Sequence, residues 1–352
     1  RNKFDTEKYL IMIVITCVDP GSANFLAPIL TTLQKDKLIY TSGSATRIFQ
    51  SAGISVNEIK ETSWDELQNI ASSIIEELSP ELVICGTSWG LSLDKAITLA
   101  TRAAGVITVS TVDHWRLIKE RFIDFENVND KGSLPFLTDY IIVIDEKSKL
   151  VLENLGVDSD RILLGGNPHL EHIQSKYSNV RDEYLDENTH VKDILFVSEI
   201  IREDLPNHPY DEYQVLEDLV ALSHSSGLTI DIKLHPNEKT TKFLNFLTSS
   251  INCKTDIDFP KMILEYKYII GIDSMLLFEL SMCRSGVFSY RPNFQAPSDD
   301  PFGASSVVPI FNYEELERVL KNKVDNTLDE EYSYVGSASK VTRHIANLME
   351  NK

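Results

Sequence analysis

Cysteine is scarce, with four thiols in 352 residues: Cys17, Cys85, Cys253 and Cys283. None forms a CxxC pair or a zinc-type spacing, which argues against a disulfide framework and against a cysteine-ligated metal. Three lie in or beside apolar runs, so buried free thiols in a reducing, cytoplasmic compartment are expected. Long apolar runs are missing too. The longest, residues 9–18, reaches about half of what a membrane span needs. Asp5 and Glu7 suit the basic flank of a signal peptide badly, so the run reads as a buried first strand. Positive charge is in deficit: 34 Lys+Arg against 53 Asp+Glu give a net charge of −19. That field repels a phosphate backbone and argues against general nucleic-acid binding, while leaving room for a local basic pocket that takes one small anion. There is no GxGxxG run, which disfavours a nicotinamide dehydrogenase, and neither sequence repeats nor low-complexity tracts occur.

What the chain does have is alternation. With 42% hydrophobic residues and roughly 150 residues per domain, two cores can be filled. Short apolar runs predict strands at 9–17, 38–41, 82–85, 106–110, 140–144 and 161–164. Amphipathic stretches predict helices at 25–34, 64–78, 92–104 and 146–155, with residues 18–24 as a loop. Ser63 and Glu66 spell a capping box ahead of the helix at 64. Residues 174–190 are polar with few apolar anchors and read as a linker. The alternation then restarts, with strands at 193–197, 228–234, 251–254, 268–272 and 286–290. Helices are predicted at 213–224, 237–249, 259–265, 274–283, 313–320 and 337–349, with a Pro/Asp-rich loop at 291–303. Strand-then-helix order implies parallel sheets covered on both faces. The expected architecture is α/β: two Rossmann-like doubly wound domains in tandem, 1–173 and 191–352, with a cleft between them.

In open parallel sheets ligands bind beyond the carboxyl ends of the strands, so the residues just after each strand carry the functional reading. The first strand leads into Asp19-Pro20-Gly21-Ser22, where Gly21 permits a tight turn and the following helix offers its N-terminus to an anion or a sugar. Gly86-Thr87-Ser88-Trp89-Gly90 offers two hydroxyls and a ring to a sugar, or an N-cap to the next helix. Asp113-His114-Trp115-Arg116 sets a carboxylate beside an imidazole, a general-base candidate, with Trp115 as a packing anchor and Arg116 and Arg121 adding positive charge. Gly166-Asn167-Pro168 precedes the linker. Ser198 follows the strand at 193–197. In Lys233-Leu234-His235-Pro236-Asn237, Pro236 fixes the turn and His235 can donate to a phosphate oxygen. Asp273-Ser274 closes the strand at 268–272. Ser274 is a natural N-cap, and Glu279, five residues on, is placed to accept from ribose hydroxyls.

Taken together, these motifs resemble the GT-B superfamily, which includes nucleotide-sugar glycosyltransferases, UDP-N-acetylglucosamine 2-epimerases and transferases of surface polysaccharides. Gly166-Asn167-Pro168 resembles the GNP turn, Lys233 to Asn237 the HP or HPN turn that meets the donor phosphate, and Asp273-Ser274 through Glu279 the element that cradles phosphate and ribose. The resemblance implies a nucleotide on the C-terminal domain, held by Ser198, His235, Pro236, Asp273, Ser274 and Glu279. It also implies an acceptor on the N-terminal domain, near Gly21, Ser22, Thr87, Ser88, His114 and Arg116. Catalysis would fall to His235 on the leaving phosphate and to Asp113, or secondarily Asp19, on the acceptor hydroxyl. No metal and no separate cofactor is implied, since the nucleotide sugar, of UDP, CMP or CDP type, is the substrate. Two departures stand out. The GTRPE opening of the epimerases is absent, and the paired glycines after the phosphate-binding serine are replaced by Met275 and Leu276. These favour glycosyl transfer to a glycan or lipid-linked acceptor, with the protein peripheral to a membrane at most. The alternatives are a 2-epimerase or hydrolase of the same fold, or a non-catalytic relative that binds a glycan or a protein partner.

Overall fold

The computed structural model describes residues 13–60, 62–124, 133–187, 190–254, 257–294, 307–322 and 334–350. The chain divides into two compact units, Arg1–His172 with Tyr334–Lys352, and Ile173–Ser333. The first contains β1 (Ile13–Cys17), α1 (Pro20–Thr32), β2 (Lys37–Thr41), α2 (Gly43–Ser51), β3 (Asn57–Glu58), α3 (Trp64–Leu78), β4 (Leu82–Cys85), α4 (Leu93–Ala104), β5 (Ile107–Thr111), β6 (Tyr140–Val143), α5 (Glu146–Asn154) and β7 (Ile162–Leu164). The division falls inside α6 (Pro168–Lys176). The second unit continues with α7 (Ser178–Glu187), β8 (Lys192–Val197), α8 (Ile201–Asp204), α9 (Glu212–Ser226), β9 (Ile230–Lys233), β10 (Ile251–Lys254), α10 (Phe259–Glu265), β11 (Tyr266–Gly271), α11 (Met275–Ser281), β12 (Val287–Tyr290), β13 (Val308–Ile310) and α12 (Tyr313–Asn322). The chain then returns to the first unit as α13 (Ser337–Glu350).

Both sheets are wholly parallel. The seven-stranded sheet runs β3-β2-β1-β4-β5-β6-β7. The six-stranded sheet runs β10-β9-β8-β11-β12-β13. Every residue of β1 and β4 is buried, as continuous apolar strands between two helical layers must be. In α3, Ser63 Oγ accepts from the Glu66 N–H at 3.3 Å, and Ala71, Ile74 and Ile75, at helical spacing, turn inward. Chain order reverses beside β1 in one sheet and beside β8 in the other. These switch points open a crevice at the strands' carboxyl ends.

The strands and helices follow the sequence pattern closely, but several expectations need correcting. Residues 20–24 are helical, not loop: Asp19 Oδ1 accepts from the Gly21 N–H at 3.1 Å and Pro20 takes the first turn, so α1 starts early. Residues 174–190, expected as a linker, carry the end of α6 and all of α7; exposure of most of their side chains is why they read as polar. The stretch after Pro236 is turns with a single short 3₁₀ segment, Leu244–Phe246, because Glu238 and Lys242 fold inward onto polar partners. The strands β3 and β13 are too short to show a period, and the amphipathic helix α2 and the four-residue α8 are also absent from the expected elements. The C-terminal helix belongs to the first unit, where Val341 and Ile345 join the core of β1, β4 and α1. Residues 9–12 of the expected first strand and 295–303 of the expected loop lie outside the described residues. Among the described residues no helix is long and apolar enough to cross a membrane.

Candidate functional site

In the first unit, the residues singled out after β1, β4 and β5 converge on one buried network. Ser22 Oγ accepts from the Thr87 N–H at 3.1 Å and lies 3.2 Å from both the Thr87 carbonyl and Asp113 Oδ1. Arg121 Nη1 donates to Asp113 Oδ1 and to Thr87 Oγ1, each at 2.8 Å, and Thr87 Oγ1 donates to the Thr111 carbonyl at 2.9 Å. Asp113 and Arg121 thus form a buried ion pair, which holds the carboxylate in one orientation. Gly21 is required by contact and not by a turn: a Cβ there would stand 2.0 Å from Asp113 Oδ2. Ser88 Oγ donates to Ser92 Oγ at 2.7 Å, Asp19 caps α1, and His114 Nδ1 accepts from the Arg116 N–H at 2.9 Å. The Arg116 guanidinium lies 5.9 Å from the Trp89 ring centroid, and Trp115 anchors the loop by donating to Asp145 Oδ2 at 2.6 Å. Ser22, Thr87, Ser88 and Asp113 are all buried, so the hydroxyls expected to meet a sugar are engaged with one another.

Two ionisable groups of α4 went unnoticed in the sequence. Burial pushes the Asp94 carboxyl up to about 7. Burial likewise lowers the Lys95 amine to about 8, against the pull of Asp124 and Asp94. Lys95 donates to the carbonyls of Trp89 and Ile123 at 2.6 and 2.7 Å, tying down the segment that carries Arg121. Burial raises the thiols of Cys17, Cys85 and Cys283, and all four cysteines are free.

In the second unit the adjacent strands β9, β8 and β11 end together at the switch point, bringing Lys233, His235, Ser198, Asp273 and Ser274 to one sheet edge. The His235 N–H donates to Glu238 Oε2 at 2.7 Å, and its Nδ1 accepts from the Asn237 N–H at 3.2 Å. The ring proton therefore sits on Nε2. Burial first, then the charges of Lys233 and Lys242, lower His235 to about 4. At neutral pH it is a fixed, uncharged donor. Lys233 is lowered by burial and raised by the carboxylates of Glu279 and Glu238, which puts Glu279 electrostatically close to the same edge. Pro236 is exposed, Asp273 is buried, and Ser198 is buried with its hydroxyl on Glu238 Oε1 at 2.7 Å. Lys242 binds Glu212 at 2.6 Å, Glu238 at 2.7 Å and the Glu199 carbonyl at 3.2 Å, a buried clasp under the His235 turn.

Ser274 behaves as the expected N-cap, its Oγ accepting from the Leu276 N–H at 3.3 Å. Glu199, which drew no notice in the sequence, places Oε1 3.1, 2.8 and 3.0 Å from the N–H groups of Ile272, Asp273 and Ser274. Its only sequence signal is its position just past β8. Among the described residues no group of three or more His, Cys, Asp or Glu is placed to hold a metal ion.

No family model matches the chain, and no curated protein matches it either. Solved structures do. The UDP-GlcNAc 2-epimerase of Neisseria meningitidis, bound to UDP-GlcNAc, is similar with a TM-score of 0.71 at 14% identity, over 96% of this chain and 100% of that one. The UDP-GlcNAc 2-epimerase of Methanocaldococcus jannaschii, in complex with UDP-GlcNAc and UDP, gives 0.70 at 13% identity over 96% and 99%. The UDP-N-acetylglucosamine 2-epimerase of Rickettsia bellii gives 0.67 at 14% over 97% and 96%. The likeness fixes the fold: two Rossmann-like units of the GT-B kind in one chain.

Proposed function

We propose that the protein is an enzyme acting on a nucleotide sugar, of the epimerase or hydrolase kind rather than a glycosyltransferase. The observation that carries this reading is His235, a neutral Nε2–H donor at the carboxyl end of β9, its ring held at Nδ1 by the Asn237 N–H and its backbone N–H held by Glu238. Breaking the bond between the sugar's anomeric carbon and the phosphate oxygen leaves negative charge on the phosphate. A donor that is uncharged and already oriented stabilises that charge as it develops. The Ser274 hydroxyl accepts from Leu276 and keeps its own proton to offer the same phosphate, while Glu279 accepts from the ribose. The end-to-end likeness to UDP-GlcNAc 2-epimerases supports a UDP-sugar as the substrate and favours epimerisation or hydrolysis over transfer to an acceptor. Asp113 enters as a carboxylate locked by Arg121, and Asp19 as a helix cap; neither stands ready to swing as a base. The buried free thiols support a reducing, cytoplasmic setting.

Incubation with UDP-GlcNAc and no acceptor, followed by proton NMR, tests the reading. Expected is formation of the C2 epimer or release of free sugar and UDP. Conversion seen only after a glycan acceptor is added would overturn it in favour of a transferase. We also propose that no divalent metal takes part, supported by the lack of a carboxylate or imidazole cluster among the described residues. Turnover should persist in EDTA, and recovery only with Mg²⁺ or Mn²⁺ would refute this.

A further inference from the structure

We propose that Glu199 is a built-in anionic plug that excludes phosphate from the backbone N–H groups of the turn joining β11 to α11. The inference deepens the nucleotide-sugar reading and rests on it. Three consecutive backbone N–H groups, those of Ile272, Asp273 and Ser274, converge on one oxygen, Glu199 Oε1, at 3.1, 2.8 and 3.0 Å. Successive N–H groups aimed at one point form an anion-binding concavity. Here the chain supplies the anion itself, from 73 to 75 residues away in sequence. These donors precede the helix. The first N–H inside it that seeks a side-chain acceptor, that of Leu276, takes Ser274 Oγ. A phosphate oxygen arriving here finds its donors taken and a carboxylate in its place.

The plug is held from behind. The Glu199 carbonyl accepts from Lys242 Nζ at 3.2 Å, and Lys242 is clasped by Glu212 and Glu238. Ser198, the preceding residue, is tied to Glu238 at 2.7 Å. Glu199 itself is buried. Its carboxylate therefore cannot swing out at no cost, since leaving strands three N–H groups that the fold has satisfied internally. The residues after Ser274 agree with a closed turn, being Met275 and Leu276, whose side chains stand where a close backbone approach would need none. Phosphate oxygens are thus met by side-chain donors, His235 Nε2–H and the Ser274 hydroxyl, and not by the backbone N–H groups of the turn.

Calorimetric titration of the full chain with UDP, and with uridine as the phosphate-free control, tests this in the wild type, Glu199→Ala and Glu199→Gln. The glutamine keeps an oxygen for the three N–H groups and loses the charge, so it carries the test if the alanine variant fails to fold. Expected is UDP binding at least tenfold tighter in the neutral variants, with uridine binding equal in all three. Equal or weaker UDP binding in a folded neutral variant, or no UDP binding by any form, overturns the plug. The two proposals fail separately. Conversion of UDP-GlcNAc by the wild type with unchanged UDP affinity in the variants removes the plug alone. Tighter UDP binding in the variants without conversion by any form removes the enzymatic reading alone.

Discussion

His235, half-buried, and Asp94, buried, are two ionisable side chains displaced in ways that oppose each other. His235→Ala removes a donor and leaves the turn otherwise held by Pro236 and Glu238. Its kcat on a nucleotide sugar should fall by about 10²–10³, with a melting temperature within a few degrees of wild type. A large drop in melting temperature at near-normal kcat would make the residue structural. Asp94 should show in stability alone. Its carboxyl is raised from the ordinary 3.8 to about 7 in the fold, so the native state binds the proton more tightly than the unfolded chain does. Its stabilising contribution is whole below about pH 4 and is lost as pH rises through 7, at up to about 1.4 kcal/mol per pH unit. Asp94→Asn should lack that slope, so denaturant unfolding of both proteins across this window should give converging and then crossing stabilities. Parallel curves would show that Asp94 is not the buried acid described here. His235 slopes the other way: its neutral form is favoured by folding, so its contribution falls as pH drops from about 6.5 towards 4. Taking the wild type minus Asp94→Asn cancels it.

At the level of elements, much of the molecule is written in local pattern. The bounds of α3, β4, β10 and α10 coincide with apolar periodicity and turn residues, because caps such as Ser63 and Asp258 act within a few residues. What could not be read was pairing between distant strand ends. Asp113, Ser22, Thr87 and Ser274 were each identifiable as residues past a strand. That Ser22 and Asp113, 91 positions apart, share a hydrogen bond depends on the order in which strands lie side by side. The same holds for Glu199, a lone acidic residue in sequence whose role exists only because β8 neighbours β11. The early start of α1 was hidden by Gly21, which suggests a loop unless the Asp113 carboxylate resting on it is known. That contact reverses a usual rule. Gly→Ala within a helix normally gains about 1 kcal/mol, yet Gly21→Ala should destabilise by roughly 1–3 kcal/mol through overpacking against Asp113. Urea denaturation measures it, and a gain in stability would mean that α1 and the loop after β5 part more easily than their contacts imply.

At the level of the whole chain, the first unit is closed by a helix that follows the entire second unit in sequence. The GNP turn is the receiving point. Gly166 adopts a φ of +75°, and a Cβ on it would lie 2.3 Å from Ser337 Oγ at the start of α13. Glu171 secures the same end, accepting from the N–H groups of Gly336 at 2.6 Å and Ala338 at 2.8 Å. Ile345→Ala should cost about 2–5 kcal/mol. Hydrogen exchange should report the loss in β1, β4 and α1, and leave β8, β9 and β11 protected. Equal loss in both sheets would mean that the units unfold as one. The arrangement also bears on birth at the ribosome. Residues 173–333 form a contiguous unit whose sheet is complete once they have emerged, whereas the sheet begun by β1 waits uncapped until residues 334–350 follow. The half of the protein made first is therefore finished last. During that interval the apolar seat of Val341 and Ile345 is open to chaperones, and a ribosome stalled before α13 releases a chain with one finished half and one sticky one.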